Sequence, residues 1–297
     1  MQPLSAVALC LVLTACAAAP PFVVETVGRL GNPALHEASG LIRSGCMPGR
    51  FWALNDNDNP AELFLLDDSG NELGRVGVAA VNVDWEDLDY AFVDGVHRLV
   101  IADIGDNEAV RPYISVYFVD EPCGSLPAHG PLPAVRYDLR YPDGPRDAEG
   151  LAIDAVHDEL VIVTKRTLPP AVYSLPLAAL AATPASAAVL SRDGDLTTLH
   201  EPTPAELEAA PLTKLYRWQP AALALTPDAA AVLTSRNAYY YRREGGQRVF
   251  EALGAAPVVV PLPPLKDAEA LSFDASGDAL MLTSELEHAP VIRIRRR

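Results

Sequence analysis

The sequence is short of cations. Lys and Arg number 23 against 39 Asp and Glu in 297 residues, a formal net charge of −16. A phosphate backbone requires clustered Lys and Arg, so nucleic acid is excluded as a partner. The one basic run, Arg293 to Arg297, is too short to alter that, and its Arg/Ile alternation fits a strand with apolar residues in and cations out. No Gly-x-Ser-x-Gly elbow, His-Glu-x-x-His, Walker loop or Gly-x-Gly-x-x-Gly is present. The six His are scattered. A serine-triad hydrolase or a zinc enzyme is therefore unsupported. Beyond the N-terminal segment no apolar run reaches the ~18 residues that suggest a spanning helix. Gly (19) is outnumbered by Pro (27), which argues for many short elements with stiff turns rather than a helical bundle. Charged residues are only 21% against 49% hydrophobic, which excludes intrinsic disorder.

Residues 1–20 carry no charge and are apolar from Ala6 to Ala19. The stretch is too short and Ala-rich to span a bilayer and reads as a signal peptide. Leu13-Thr14-Ala15-Cys16 has the pattern of a bacterial lipobox, although Met1–Ser5 has no basic residue. The expected division is a signal over 1–15, a lipidated N-terminus at Cys16 with a linker to 21, and one domain over 22–297. Cys46 and Cys123 remain as an even pair in an oxidising compartment, either bridged or as two free thiols.

Five segments align on one leucine: Leu41, Leu88, Leu151, Leu223 and Leu271. Each is followed by two further apolar runs separated by turn residues, such as Leu160–Thr164 and Ala171–Leu175 in the third repeat. The leucine spacings are 47, 63, 72 and 48 residues. A unit of roughly 40–50 residues is the size of a four-stranded propeller blade. The longer intervals hold a Pro-rich insertion at 121–133 and an Ala/Pro/Glu-rich one at 178–211, with a short helix expected near Pro204–Ala210. The last repeat has three strands, and residues 22–30 supply a fourth. An all-β, single β-propeller of five blades follows, its ring closed by the N-terminal strand because open sheet arrays leave unpaired edges. Six blades would require a degenerate blade within 178–211.

In such a ring the first strand of each blade lines the central channel. Loops entering that strand and loops joining the second and third strands share one face, the top. The entering positions carry Asp84, Glu86, Asp87, Asp147, Glu149, Asp267 and Glu269, with Ser39 and Ala221 at the equivalent of Glu86 in blades one and four. The second set comprises Asn55–Asn59, Asp103–Glu108, Lys165-Arg166, Ser235–Asn237 and Glu285–His288. Crowded carboxylates raise one another's pKa unless a cation neutralises them, and Ca²⁺ with six to eight oxygen ligands suits such a rim. The expected metal set is Glu86, Glu149 and Glu269 around the axis, with Asn57, Asp103 and Asp106 completing the shell. The alternative is that inner-strand acids bond the neighbouring blade's backbone or face water. Lys165, Arg166, Arg236 and Asn107 are the candidates for holding a small anionic ligand, or else balance charge within the rim. Cys46 and Cys123 fall in bottom loops of adjacent blades, which favours a disulfide if their Cα atoms lie within ~7 Å.

The segments Asn82–Asp87, Ile101–Asn107, Tyr141–Gly150 and Asp267–Ala270 resemble a family of exported bacterial propeller lipoproteins over roughly residues 25–297. They are more distantly similar to phytase-like (esterase-like) and gluconolactonase-type propellers. In the phytase-like group Glu-Gly-Leu repeats line a calcium-dependent site. Glu149-Gly150-Leu151 matches that motif in full, and Glu86 and Glu269 match at the acid and the leucine; Ser39 and Ala221 depart from it. The expectation is an exported, lipid-anchored monomer in the cell envelope that binds a small anionic ligand or an envelope protein through its acidic top face, touching the membrane only through its lipid. The alternative is a metal-dependent hydrolase of phosphoester or lactone substrates.

Overall fold

A computed structural model describes residues 21–182, 186–209 and 216–297. The signal and lipidation expectations, Cys16 included, lie outside the described residues. Strand β1 (Phe22–Arg29) opens the chain. Blade one is β2 (Ala38–Arg43), β3 (Arg50–Asn55), β4 (Glu62–Asp67) and β5 (Glu72–Gly77). Blade two is β6 (Trp85–Val93), β7 (Val96–Asp103), β8 (Ile114–Asp120) and β9 (Ala134–Arg140). Blade three begins with β10 (Ala148–Asp154), β11 (Glu159–Thr164) and β12 (Ala171–Pro176). The insertion then adds helix α1 (Leu177–Ala182) and strand β13 (Ala188–Val189), followed by β14 (Ser191–Asp195), the fourth strand of blade three. Helix α2 (Pro204–Ala209) precedes blade four, which is β15 (Ala222–Thr226), β16 (Ala229–Leu233), β17 (Asn237–Arg242) and β18 (Val258–Pro261), with α3 (Val249–Leu253) before β18. Blade five is β19 (Ala268–Phe273), β20 (Ala279–Ser284) and β21 (Pro290–Arg296), completed by β1 pairing antiparallel to β21.

The protein is a five-bladed β-propeller. All five aligned leucines fall on inner strands, and the inner strands contact one another around the ring in the order β2, β6, β10, β15, β19 and back to β2. The 178–211 insertion forms no sixth blade: β14 finishes blade three and β13 pairs parallel to β9 at the edge of blade two.

Hydrophobic patterning explains the layering. Strands β10 and β11 are buried at every residue because both faces of a blade pack on neighbouring blades. The outer strand β1 alternates, since one face meets solvent. The core is accordingly five clusters, each shared by two adjacent blades; Leu151 and Val116 meet between blades two and three, for example. Tight turns follow local chemistry. Asp94-Gly95, both with positive φ (52° and 77°), join β6 to β7 as a two-residue hairpin.

Two features fix the channel. Cys46 and Cys123 form a disulfide with Cα atoms 5.6 Å apart, tying the bottom loops of blades one and two. Beside it, Glu121 accepts from Ser44 Oγ, the Gly45 N–H and Trp52 Nε1. Within the channel, Asp87 accepts the N–H groups of Leu88 (2.8 Å), Leu151 (2.9 Å) and Leu223 (3.3 Å). Its carboxyl thus bridges β6 to β10 and across to β15, and plugs the narrow bore. For this acid, bonding to neighbouring backbone is the reading that holds.

Candidate functional site

The acids at the top of the inner strands are aimed by a repeated backbone device. The ladders between first and second strands shift register across Ala38/Gly40, Trp85/Asp87, Ala148/Gly150 and Ala268/Ala270. In each case one extra residue stands outside the pairing: Ser39, Glu86, Glu149 and Glu269. A β-bulge re-aims the side chain of its unpaired residue, and here it turns the three glutamates toward the channel mouth. A second ring lies above the first. The residues directly after the second strands of blades one, two, three and five are Asp56, Ile104, Lys165 and Glu285. The N–H groups of Asp56, Lys165 and Glu285 bond the carbonyls of Glu37, Asp147 and Asp267, so these three hold equivalent places.

Lys165 therefore occupies, in blade three, a position where blades one and five carry acids. Its Nζ lies 2.6 Å from Glu149 Oε1 and 3.6 Å from Glu269 Oε1. Burial lowers its pKa, but the charges of Glu149, Glu269 and Glu86 outweigh burial and hold the ammonium above its ordinary pKa. Burial pushes Glu149 up to about 8 despite Lys165, with Glu269 adding to the rise. Burial and Glu269 push Glu285 up to about 9; the two carboxyls share a hydrogen bond, which requires a proton. In this half of the mouth an ammonium and a shared proton thus offset two of three carboxyl charges.

The other half differs. Asp56, Asp84 and Glu86 bring carboxylate oxygens within 4.8 Å of one another. Glu86 also lies within that distance of Asp147 and Glu149. Among the described residues no Lys, Arg or His forms an ion pair with Asp56, Asp84 or Glu86. The Asn57 amide donates to Asp84 Oδ1 (2.5 Å), a neutral contact. Burial, followed by the charge of Glu149, drives Glu86 well above its ordinary range. Burial, reinforced by Asp84, pushes Asp56 up to about 7 against the Asn57 N–H. Gly105 floors this half: a Cβ there would meet Asp84 Oδ2 at 2.3 Å and Glu86 Oε1 at 2.4 Å.

The remaining expected ligands are engaged elsewhere. Asp103 pairs with Arg111 (2.8 Å) and accepts the Asp84 N–H, while its buried Oδ2 has no partner. Asp106 folds its own loop by accepting the N–H groups of Val110 and Arg111. Of the expected anion-binding cations, Lys165 is enclosed by glutamates. Arg166 bonds Asp147 Oδ2 (2.7 Å) and Asn107 Oδ1 and stacks on Tyr216 (4.4 Å). Their charges, and the Asn107 amide, are spent inside the rim. Arg236 alone of that set forms no ion pair among the described residues; it lies over Trp218, 4.9 Å from the ring centroid.

The sequence places Asp56, Lys165 and Glu285 on the same face without marking them as one ring, and it gives no sign of Arg111 or of the role of Gly105. Aligning the residue after each second strand, rather than only the inner-strand acids, would have revealed the first three. Nothing in the repeat marks Arg111.

No protein-family model matches the sequence, and no curated protein matches it either. Solved structures do. The chain is similar to glutaminyl cyclase from Myxococcus xanthus, with 11% identity and TM-score 0.50 over 94% of this chain and all of that one. It is also similar to a gluconolactonase from Xanthomonas campestris, with 14% identity and TM-score 0.43 over 84% of this chain and 69% of that one. At these identities the likeness is one of fold.

Proposed function

We propose that this chain is an exported, lipid-anchored propeller that binds a ligand or partner through its acidic top face, with Ca²⁺ held in the half of the mouth formed by Asp56, Asp84 and Glu86. The observation that carries this reading is the convergence of three carboxylates, two of them buried, with no cation paired to them. Uncompensated buried carboxylates either hold protons or recruit a cation, and a hard divalent ion accepts oxygen ligands in irregular geometry. Lys165 engages Glu149 and Glu269, so the metal shell is displaced from the symmetric ring that the repeats suggest. A Cys46–Cys123 disulfide accords with an exported location. The lipobox at Cys16 supplies the anchor.

Metal analysis of protein purified without chelator is the first test. About one equivalent of calcium is expected, falling in Glu86→Gln; a metal-free protein that takes up none on addition would sink the reading. A second reading, metal-dependent hydrolysis of a phosphoester or lactone, draws on one observation: Glu149, pushed up to about 8, holds a proton near neutral pH beside the proposed metal. Turnover of such substrates, abolished in Glu149→Gln, would favour it over binding alone.

A further inference from the structure

A cavity of about 590 Å³ lies on the top face over blade four. Its walls come from the segment entering β15 (Arg217, Trp218), the β16–β17 loop (Ser235, Arg236, Asn237) and the proline-rich stretch Pro261–Leu265 that leads toward blade five. The chemistry here is the reverse of the channel mouth. Arg236 is exposed and stacks on Trp218, and its guanidinium bonds no acceptor among the described residues. Arg217 reaches the Leu265 carbonyl through Nη2 (3.4 Å), and its buried Nε is ion-paired with Asp267 Oδ1 at 3.8 Å, beyond hydrogen-bond distance. Trp218 is only 4% exposed and its Nε1–H has no partner. Buried donors without acceptors are rare in folded proteins, since each forfeits its hydration for nothing. One beside this cavity, Trp218 Nε1, next to an uncommitted arginine, marks a place built for an acceptor. The acids nearby are committed: Glu206 bonds His200 and Thr203, and Asp267 faces Arg217.

We propose that this cavity binds a ligand with an anionic head, phosphate or carboxylate, joined to an apolar or aromatic body. Arg217, Arg236 and Trp218 Nε1 take the head, and the Pro261–Leu265 wall with the Trp218 ring takes the body. Guanidinium groups match the planar or tetrahedral oxyanion, and the rigid prolines need no ordering on binding. The site is independent of the Ca²⁺ reading, because it shares no residue with the mouth and depends on no metal.

Trp218 reports on its own cavity. The other two tryptophans, Trp52 and Trp85, are fully buried in the blade core. Full-length protein titrated with phenyl phosphate in the presence of chelator should change its tryptophan emission. Binding by calorimetry should weaken about tenfold or more in Arg236→Gln and in Arg217→Gln, because each removes a charge-assisted bond. Arg236 is exposed, so its variant keeps the fold, which circular dichroism verifies. In Trp218→Phe the fluorescence response disappears while calorimetric binding survives, weakened. Inorganic phosphate binding as tightly as phenyl phosphate would overturn the role given to the apolar wall. No binding of either up to about 10 mM, an affinity too weak to support a specific site, or binding unchanged in the Arg217→Gln/Arg236→Gln double variant, would overturn the proposal. Loss of Ca²⁺ uptake without loss of phenyl phosphate binding, or the converse, separates the two sites.

Discussion

The two ends of the channel are built from the same five strands and share almost nothing chemically. At the top, the strands begin with bulges and present Glu86, Glu149 and Glu269. At the bottom, their ends line a cavity of about 260 Å³ walled by Ile42, Ile153, Ala224 and Phe273, where the acids Asp89, Asp154 and Asp158 are accompanied by Arg43 and Arg243. Asp87 stands between the ends and closes the bore. The repeat sets the same strand scaffold in every blade, with the bulge absent from blade four, and the chemistry arises where blades differ from one another. Lys165 set against Asp56 and Glu285, and Ser39 and Ala221 set against three glutamates, make the mouth asymmetric and leave one half short of cations.

The largest effect should come from removing the ammonium. Lys165→Met leaves Glu149 and Glu269 buried without their partner, and breaking a buried ion pair costs about 3–5 kcal/mol. Urea denaturation should show that loss at pH 8, with partial recovery at pH 5 where the carboxyls take up protons. Because the Asp56 half has lost a neighbouring positive charge, Ca²⁺ should bind this variant more tightly, not less. The bottom is probed by Cys46→Ser/Cys123→Ser. The bridge spans 77 residues, and a loop of that length is worth about 4 kcal/mol in the chain-entropy account. That variant should melt earlier while binding Ca²⁺ unchanged; altered Ca²⁺ affinity would mean that the two ends are coupled. Asp87→Ala removes the plug. The N–H groups of Leu151 and Leu223 lose their acceptor, at roughly 1–3 kcal/mol each where no water reaches them. A loss of stability under 1 kcal/mol would show that water replaces the carboxylate and that the bore is open.

A further effect is that of pH. Asp56, Glu149 and Glu285 are raised in the folded chain, to about 7, 8 and 9. The native state therefore holds more protons than the unfolded state above about pH 4, and stability of the metal-free protein falls as pH climbs through that range to about 9. Thermal melts at pH 5, 7 and 9 should show the decline, and Ca²⁺ should flatten it by stabilising the ionised carboxyls. A metal-free protein equally stable at pH 5 and 9 would contradict the account of the mouth.

Much of this architecture is legible in the sequence because it rests on periodicity. The leucine of each inner strand, the β-branched runs and the N-terminal strand that completes blade five follow from burial and edge pairing, which every blade obeys. The Cys46–Cys123 bridge follows once the loops are assigned to faces. The site is legible only in part. That Glu86, Glu149 and Glu269 share a face depends on strand order, which the repeat reveals; that they turn inward depends on a bulge, which no residue type announces. Lys165 and Arg166 read as free cations because their partners, Glu149 and Asp147 in the same blade and Glu269 and Asn107 in neighbouring ones, meet them only once the strands pair and the blades pack. Asp106 reads as a ligand, yet it serves its own turn, a role Asp fills as readily as metal binding.

The central claim is that the half of the mouth formed by Asp56, Asp84 and Glu86 lacks a cation and binds one. Calorimetric titration of chelator-treated protein with Ca²⁺ tests it most directly. The account predicts one saturable site, lost in Glu86→Gln and kept in Glu269→Gln, whose carboxylate belongs to the Lys165 half. No binding in the native protein, or equal loss in both variants, would contradict it.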